Sequence, residues 1–152
     1  MMRTHRRSRS TASISLAALL GLTGVGEAQQ PIRIGASLSQ TGAFAALGQN
    51  YLRGYQLCVK HANEKGGILG RKLELVVEDD GSKGDVAARI YEKLIAQDKV
   101  EAILGPYSSP ITEAVAHVSE KHRMPMVATG AATTLIFKKG RKFIFMVNPP
   151  GE

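Results

Sequence analysis

From Pro31 onward, short apolar runs alternate with stretches whose apolar residues return every three or four positions. The first kind reads as buried strand and the second as amphipathic helix. Strands are predicted at 32–38, 73–77, 102–104, 126–128 and 143–147, and helices at 48–65, 86–97 and 110–122. In the second helix Val86, Ile90 and Leu94 share one side with Ala87, Tyr91 and Ile95; in the third, Ile111, Val115 and Val118 face inward. Strands joined by helices give a parallel sheet with right-handed crossovers. The strands read as continuous apolar runs because helices cover both faces. The expected fold class is therefore α/β, a doubly wound parallel sheet. Of its five strands, 32–38 lies inside the sheet and 73–77 on its flank.

The segments between these elements carry the candidate chemistry. The strand 102–104 stops at Gly105-Pro106-Tyr107-Ser108-Ser109-Pro110. Ser109 is expected as N-cap and Pro110 as the first helical residue. Free N–H groups at a helix start attract carboxylates and phosphates, so this loop is either a plain cap or part of an anion site. Ligands of parallel sheets bind beyond the carboxyl ends of the strands. Three loops rich in small and hydroxyl residues fall at that edge: Ser39-Gln40-Thr41-Gly42, Ser108-Ser109, and Thr129-Gly130-Ala131-Ala132-Thr133-Thr134. The first leads into Ala43-Phe44-Ala45-Ala46-Leu47-Gly48, which sets apolar side chains over the same edge. Each loop alone fits ordinary turn chemistry, but three on one edge point to a pocket.

Catalytic signatures are weak. Gly66-Gly67-Ile68-Leu69-Gly70 follows a helix and precedes a strand, the wrong order for a phosphate loop, and reads as a helix stop. The chain has no Walker motif and no Gly-x-Ser-x-Gly elbow. His61, His117 and His122 lack metal-ligand spacing and are expected at the surface. Glu78-Asp79-Asp80 stands where a strand enters a turn, the usual place for such residues. Neither cofactor nor metal is expected.

Charge and the N-terminus change this picture in one respect. Arg3, Arg6, Arg7 and Arg9 precede a short apolar stretch, 14–25, and Gly26-Glu27-Ala28 fits a cleavage point before Gln29. Residues 1–28 thus read as a secretory signal peptide, too short in its apolar part to span a bilayer. The twin-arginine motif is incomplete, and no cysteine follows for a lipid anchor. The whole chain carries 20 Lys+Arg against 13 Asp+Glu, net +7; without the leader the surplus is four. So mild an excess, with no basic stripe interleaved with aromatics, excludes a nucleic-acid partner. Lys138-Lys139-Gly140-Arg141-Lys142 is expected in a solvated loop. Cys58, alone, forms no internal disulfide and is expected as a small buried hydrophobe beside Tyr51, Tyr55 and Ala62.

The chain resembles the branched-chain (hydrophobic) amino-acid binding proteins of bacterial ABC transporters, periplasmic binding proteins of type I. The residues that carry the resemblance begin with Ile34-Gly35-Ala36-Ser37-Leu38-Ser39, Thr41-Gly42, Ala46-Leu47-Gly48 and Gly54. Most specific is Asn63-Glu64-Lys65-Gly66-Gly67-Ile68-Leu69-Gly70-Arg71-Lys72-Leu73, followed by Val77-Glu78-Asp79-Asp80. Leu104-Gly105-Pro106, Ser108-Ser109, Thr129-Gly130-Ala131-Ala132 and the stretch 143–150 complete the order.

The resemblance implies a two-lobed protein without catalysis that closes on one small solute and presents it to a membrane permease. It implies that Ser109 with Ser108, then Gly130, Ala131 and Ala132, meet the α-carboxylate and α-amino group, and that Leu47 lines the side-chain pocket. Two departures bear on the ligand. The family's amino-acid binders often carry threonine where Ala132 stands, with Thr133 adjacent as a substitute, and some members carry a bulky aromatic at Leu47. An amino acid or a related small carboxylate is the expected ligand, with aromatic acids and amides left open. Residues 29–152 correspond to part of the first lobe, because family members are two to three times longer; the fragment is expected to be marginally stable alone. A sensor or regulator ectodomain on the same fold is the alternative, and a periplasmic location without a membrane span is implied.

Overall fold

The computed structural model describes residues 29–149 and 151, so the predicted leader lies outside the described residues. The elements run β1 (Ile32–Leu38), α1 (Ala45–Glu64), β2 (Leu73–Asp79), α2 (Gly84–Ala96), β3 (Ala102–Leu104), α3 (Ser109–His122), β4 (Met126–Ala128), a 3-10 turn (Thr134–Ile136) and β5 (Ile144–Met146). The five strands form one parallel sheet in the order β2-β1-β3-β4-β5. β1 lies inside and β2 at the edge, as the apolar pattern predicts.

Alternation along β1 separates two cores. Ala36 and Leu38 are fully buried and pack with Tyr55 of α1, joined by Tyr51, Leu52, Leu75, Val77 and Leu104. A Cβ at Gly35 would instead stand 3.1 Å from Leu94 of α2 and 3.2 Å from Val100. On that side α2 and α3 bury Tyr91, Leu94, Val115 and Val118 against Ile103, Met126 and Ile144. Each such side chain contributes about 1.5–3 kcal/mol by leaving water. Helices on both faces make the sheet doubly wound. On the α1 face, Val77, Ala36, Leu104, Val127 and Phe145 stand in one register row. α1 covers its β2–β1 end, leaving Ala36 fully buried, while Phe145 at the far end is 52% exposed.

Tyr91 ties the layers together. Its buried hydroxyl accepts from the Ser37 N–H at 3.1 Å and donates to the Leu104 carbonyl at 2.5 Å, bridging β1 and β3 from α2. Burial, offset in part by the Ser37 hydrogen bond, pushes this phenol well above its ordinary range.

Boundaries differ from expectation where pairing or capping decides them. β2 runs two residues further because the ladder continues through Ser37–Glu78 and Leu38–Asp79. β5 is shorter because only Ile144, Phe145 and Met146 find partners on β4. α1 starts earlier, through the good helix formers Ala45, Ala46 and Leu47. Gly66 and Gly67 follow it at positive φ, the stop that their run predicts. The reading of Cys58 as buried is corrected: it is exposed. α1 turns Tyr51, Leu52 and Tyr55 toward the sheet, whereas Gly54, Leu57, Cys58 and His61 rim an open groove.

Candidate ligand-binding edge

The carboxyl end of β3 turns through Gly105–Ser108 into α3. Ser108, not Ser109, is the N-cap: it is extended, and the helix begins at Ser109 with Pro110 second, where a missing N–H is still harmless. The correction has a geometric cause. The Ser109 hydroxyl is turned to the next loop, where its oxygen accepts from the Ala132 N–H at 3.1 Å and the Thr133 N–H at 3.4 Å. Ser108 makes no capping bond, and its buried Oγ has no partner among the described residues. An unpaired buried hydroxyl is costly. It leaves one open polar position at a helix N-terminus, whose dipole favours an anion.

The loop after β4 is held against this start. Gly130 forms a bridge with Tyr107. A Cβ there would lie 2.8 Å from the Pro106 carbonyl oxygen and 2.9 Å from the Tyr107 Cα, so only glycine permits the approach. Ala131 is fully buried, backbone included. The Asn148 side-chain amide donates to the Ala131 carbonyl at 3.0 Å, and the Gly151 N–H donates to that of Ala132 at 2.8 Å. Thr133 accepts from the Leu135 N–H and caps the 3-10 turn. Ser109, Pro110, Glu113, Thr133, Leu135, Ile136 and Lys139 line a shallow cavity of about 300 Å³. Hydrogen bonds from Arg141 and Lys139 hold the Glu113 carboxyl down to about 2, against burial that opposes them.

The first loop is fixed by two carboxylates, with Ser39 buried and Thr41 and Gly42 exposed. Asp80, fully buried, accepts from Ser37 Oγ and Ser39 Oγ, each at 2.6 Å, and from the Ser82 N–H at 2.9 Å. Asp79 accepts from Thr41 Oγ1 at 2.7 Å and from the Gln40 and Gly81 N–H groups at 2.8 and 2.9 Å. Burial raises its carboxyl, but these bonds win and lower it. The acidic turn is structural, as its place in the sequence predicts. Beside it a Cβ on Gly48 would meet the Ser39 carbonyl oxygen at 2.0 Å, so α1 docks on this loop only through glycine.

An aromatic group joins α1 to the two other loops. Tyr107 lies with its ring centroid 5.5 Å from Phe44, edge-on at 77°, and 5.5 Å from Tyr51 at 40°. Tyr51 Oη donates to the Thr129 carbonyl at 3.2 Å. Tyr55 Oη donates to the Gly105 carbonyl at 2.8 Å and also pairs with Thr129 Oγ1. Burial, opposed by Thr129 and aided by Tyr51, pushes the Tyr55 phenol up to about 12. Burial and the neighbouring Tyr107 also raise that of Tyr51.

The structure therefore brings Ser108, Ser109, Gly130, Ala132 and Thr133 into one edge. Leu47, 41% exposed, stands apart on α1, on the side that Phe44 and Tyr51 share by helical spacing. Sequence reasoning placed the Thr129 and Tyr107 loops at this edge but missed Tyr51 and its contact with Tyr107. The 44/51/55 spacing of rings ahead of a lone tyrosine in the Gly-Pro-Tyr loop was the available signal. Among the described residues no group of three or more His, Cys, Asp or Glu is placed to hold a metal ion, and no helix is long and apolar enough to cross a membrane.

Comparison with known proteins agrees with this architecture. A family model described as periplasmic binding protein matches residues 31–150. The Leu/Ile/Val-binding protein homolog 8 of Brucella suis is 33% identical over 97% of this chain and 36% of its own length. The chain thus spans about a third of the length of the curated relatives it matches. The branched-chain amino acid transporter substrate-binding protein of Streptococcus pneumoniae, solved with isoleucine, superposes with a TM-score of 0.75 at 32% identity, over 79% of this chain and 34% of that one. An R. palustris transporter solute-binding protein, solved with 4-hydroxybenzoate, gives 0.69 at 28% identity, over 80% and 32%.

Proposed function

Because this chain belongs to the periplasmic binding protein family, we propose that it is part of the solute receptor of an ABC transporter, capturing an amino acid or related small carboxylate for uptake. Its role is binding rather than catalysis. Residues 29–152 supply part of the first lobe, and a second lobe closes over the ligand. The observation that carries the reading is the Ser109 contact. One hydroxyl and the Ala132 and Thr133 N–H groups converge at the start of α3, beside the unpartnered Ser108 Oγ. A ligand carboxylate replaces the hydroxyl oxygen as acceptor for these amides, and Ser109 and Ser108 donate to it. Charge-assisted bonds of this kind are about twice as strong as neutral ones. Leu47 and the aromatic group lie toward the ligand body.

The partners on this reading are the small solute and an inner-membrane permease. The location is periplasmic, after cleavage before Gln29; N-terminal sequencing of the exported product checks the cleavage, and an intact Met1 in the soluble periplasmic fraction contradicts it. The binding role is tested by calorimetric titration of the full-length protein with L-leucine, L-isoleucine, L-valine and aromatic carboxylates, each beside its methyl ester. Saturable binding of one acid, lost in its ester, is expected. Binding of no acid, or equal binding of acid and ester, overturns the carboxylate site.

A further inference from the structure

We infer that Phe44, Tyr51 and Tyr107 form an aromatic wall of the ligand site that selects a carboxylate with a flat, unsaturated body over a branched aliphatic amino acid. The inference rests on the carboxylate-binding reading above and narrows its ligand class.

Three observations support it. First, the rings form one group at the margin of the cores: Phe44 packs against the α2–α3 core and Tyr51 against the α1 core, Tyr107 stands 5.5 Å from each, and all three keep part of their surface open. Leu47, 41% exposed, lies on the same side of α1 as Phe44 and Tyr51 by helical spacing. Second, the wall adjoins the carboxylate-binding loop. A Cβ on Gly130 would lie 3.3 Å from Tyr107 Cδ2, and Ala132, whose N–H the Ser109 oxygen holds, is two residues on. Third, the wall is pre-organised. Tyr51 is tied by its hydroxyl to the Thr129 carbonyl, and the Phe44 N–H donates to Ser82 Oγ at 3.0 Å.

The chemistry follows from the ring quadrupole. A flat unsaturated body stacks offset or edge-on against such rings and gains about three- to tenfold in affinity per well-placed pair beyond what burial gives any apolar group. A branched aliphatic chain gains only the burial.

The test uses the full-length protein, titrated calorimetrically with 4-hydroxyphenylacetate and L-leucine, with melts of the unliganded protein as the control for folding. The expected result is at least about tenfold tighter binding of the aromatic probe. In Tyr107→Leu that preference shrinks by about tenfold, while Tyr107→Phe keeps most of it. If Tyr107→Leu fails to fold, Phe44→Leu is measured in its place with the same expectation. Tighter binding of L-leucine by the unaltered protein overturns the inference, as does an unchanged preference in a folded variant. If another carboxylate binds and neither probe does, the aromatic wall fails alone. If no carboxylate binds, the proposed function fails and the wall with it.

Discussion

Tyr55 Oη donates to the Gly105 carbonyl at 2.8 Å, pinning the middle of α1 to the end of β3. The ring is 8% exposed, so Tyr55→Phe leaves a buried carbonyl without this partner. A loss of about 1–2 kcal/mol is expected by denaturant titration. The pH dependence has a definite sign. The phenol is raised to about 12 in the folded protein, from an ordinary 10. Its contribution is fully present below pH 10 and disappears as pH rises through about 12, because the unfolded chain ionises first. Base-induced unfolding in that window is expected to be shallower in Tyr55→Phe. An identical alkaline limb in both proteins contradicts the burial of this hydroxyl.

Ser108 and Ser109 exchange the roles that their order suggests, and two alanine variants separate them. Ser108→Ala removes no capping bond and a buried hydroxyl without a partner, and is expected to be neutral or to stabilise by about 1 kcal/mol. Ser109→Ala frees the Ala132 and Thr133 N–H groups and is expected to cost about 1 kcal/mol. In the full-length protein it is also expected to weaken carboxylate binding by one to two decades, the worth of roughly 1.5–3 kcal/mol for a charged acceptor. Melts and titrations of both variants read this; a larger stability loss in Ser108→Ala than in Ser109→Ala restores the capping order.

Gly48→Ala is expected to be far more damaging than an ordinary helical Gly→Ala change, which favours the helix. The new methyl would lie 2.0 Å from the Ser39 carbonyl oxygen, backbone that cannot swing aside. Forced repacking of this kind costs about 1–3 kcal/mol or more. Gly54→Ala, six residues further along α1 with open space at its Cα, is the control and is expected to be neutral or stabilising. Equal melting temperatures for the two variants contradict the close approach.

Glu113 ties α3 to the loop before β5 through Lys139 at 2.7 Å and Arg141 at 2.7 and 2.9 Å. Its carboxyl is lowered to about 2 from an ordinary 4.5. The contribution is therefore present above pH 4.5 and fades as pH falls toward 2. The carboxylate is 37% exposed, and screening by water limits the contribution to about 1 kcal/mol. Glu113→Gln is expected to melt lower than the parent at pH 7 and at the same temperature at pH 2, read by calorimetry across pH.

Legibility in the sequence followed the range of the interactions. The parallel sheet and the places of its strands along the chain were readable because periodicity reports burial directly: the strands Ala102–Leu104 and Met126–Ala128 stand where the apolar runs do. Cys58 was not readable, because helical spacing says which residues share a side but not how much of that side another layer covers. Ser109 was misplaced by one position because N-capping preference is local, whereas its hydroxyl is engaged by the loop after β4. The aromatic group escaped for the same reason, since Tyr107 meets Phe44 and Tyr51 only once β3 and α1 are assembled. The acidic pair at 79 and 80 was placed correctly in a turn, yet its serine partners on β1 belong to a neighbouring strand.

The strand order has a consequence for the time course of folding. β1 is made first and lies inside the sheet, but Ile34 pairs with Leu75 on one side and Ala102 on the other, both far downstream. A chain emerging N-terminus first therefore holds an interior strand that can ladder with β2 on one side but stays open on the other until β3 has followed it out. Long-range parallel pairing of this sort is intrinsically slow, because loop closure precedes any reward in contacts. Early collapse is thus confined to α1 against β1 and β2, and the half of the sheet that carries Ser109 and Ala132 consolidates last.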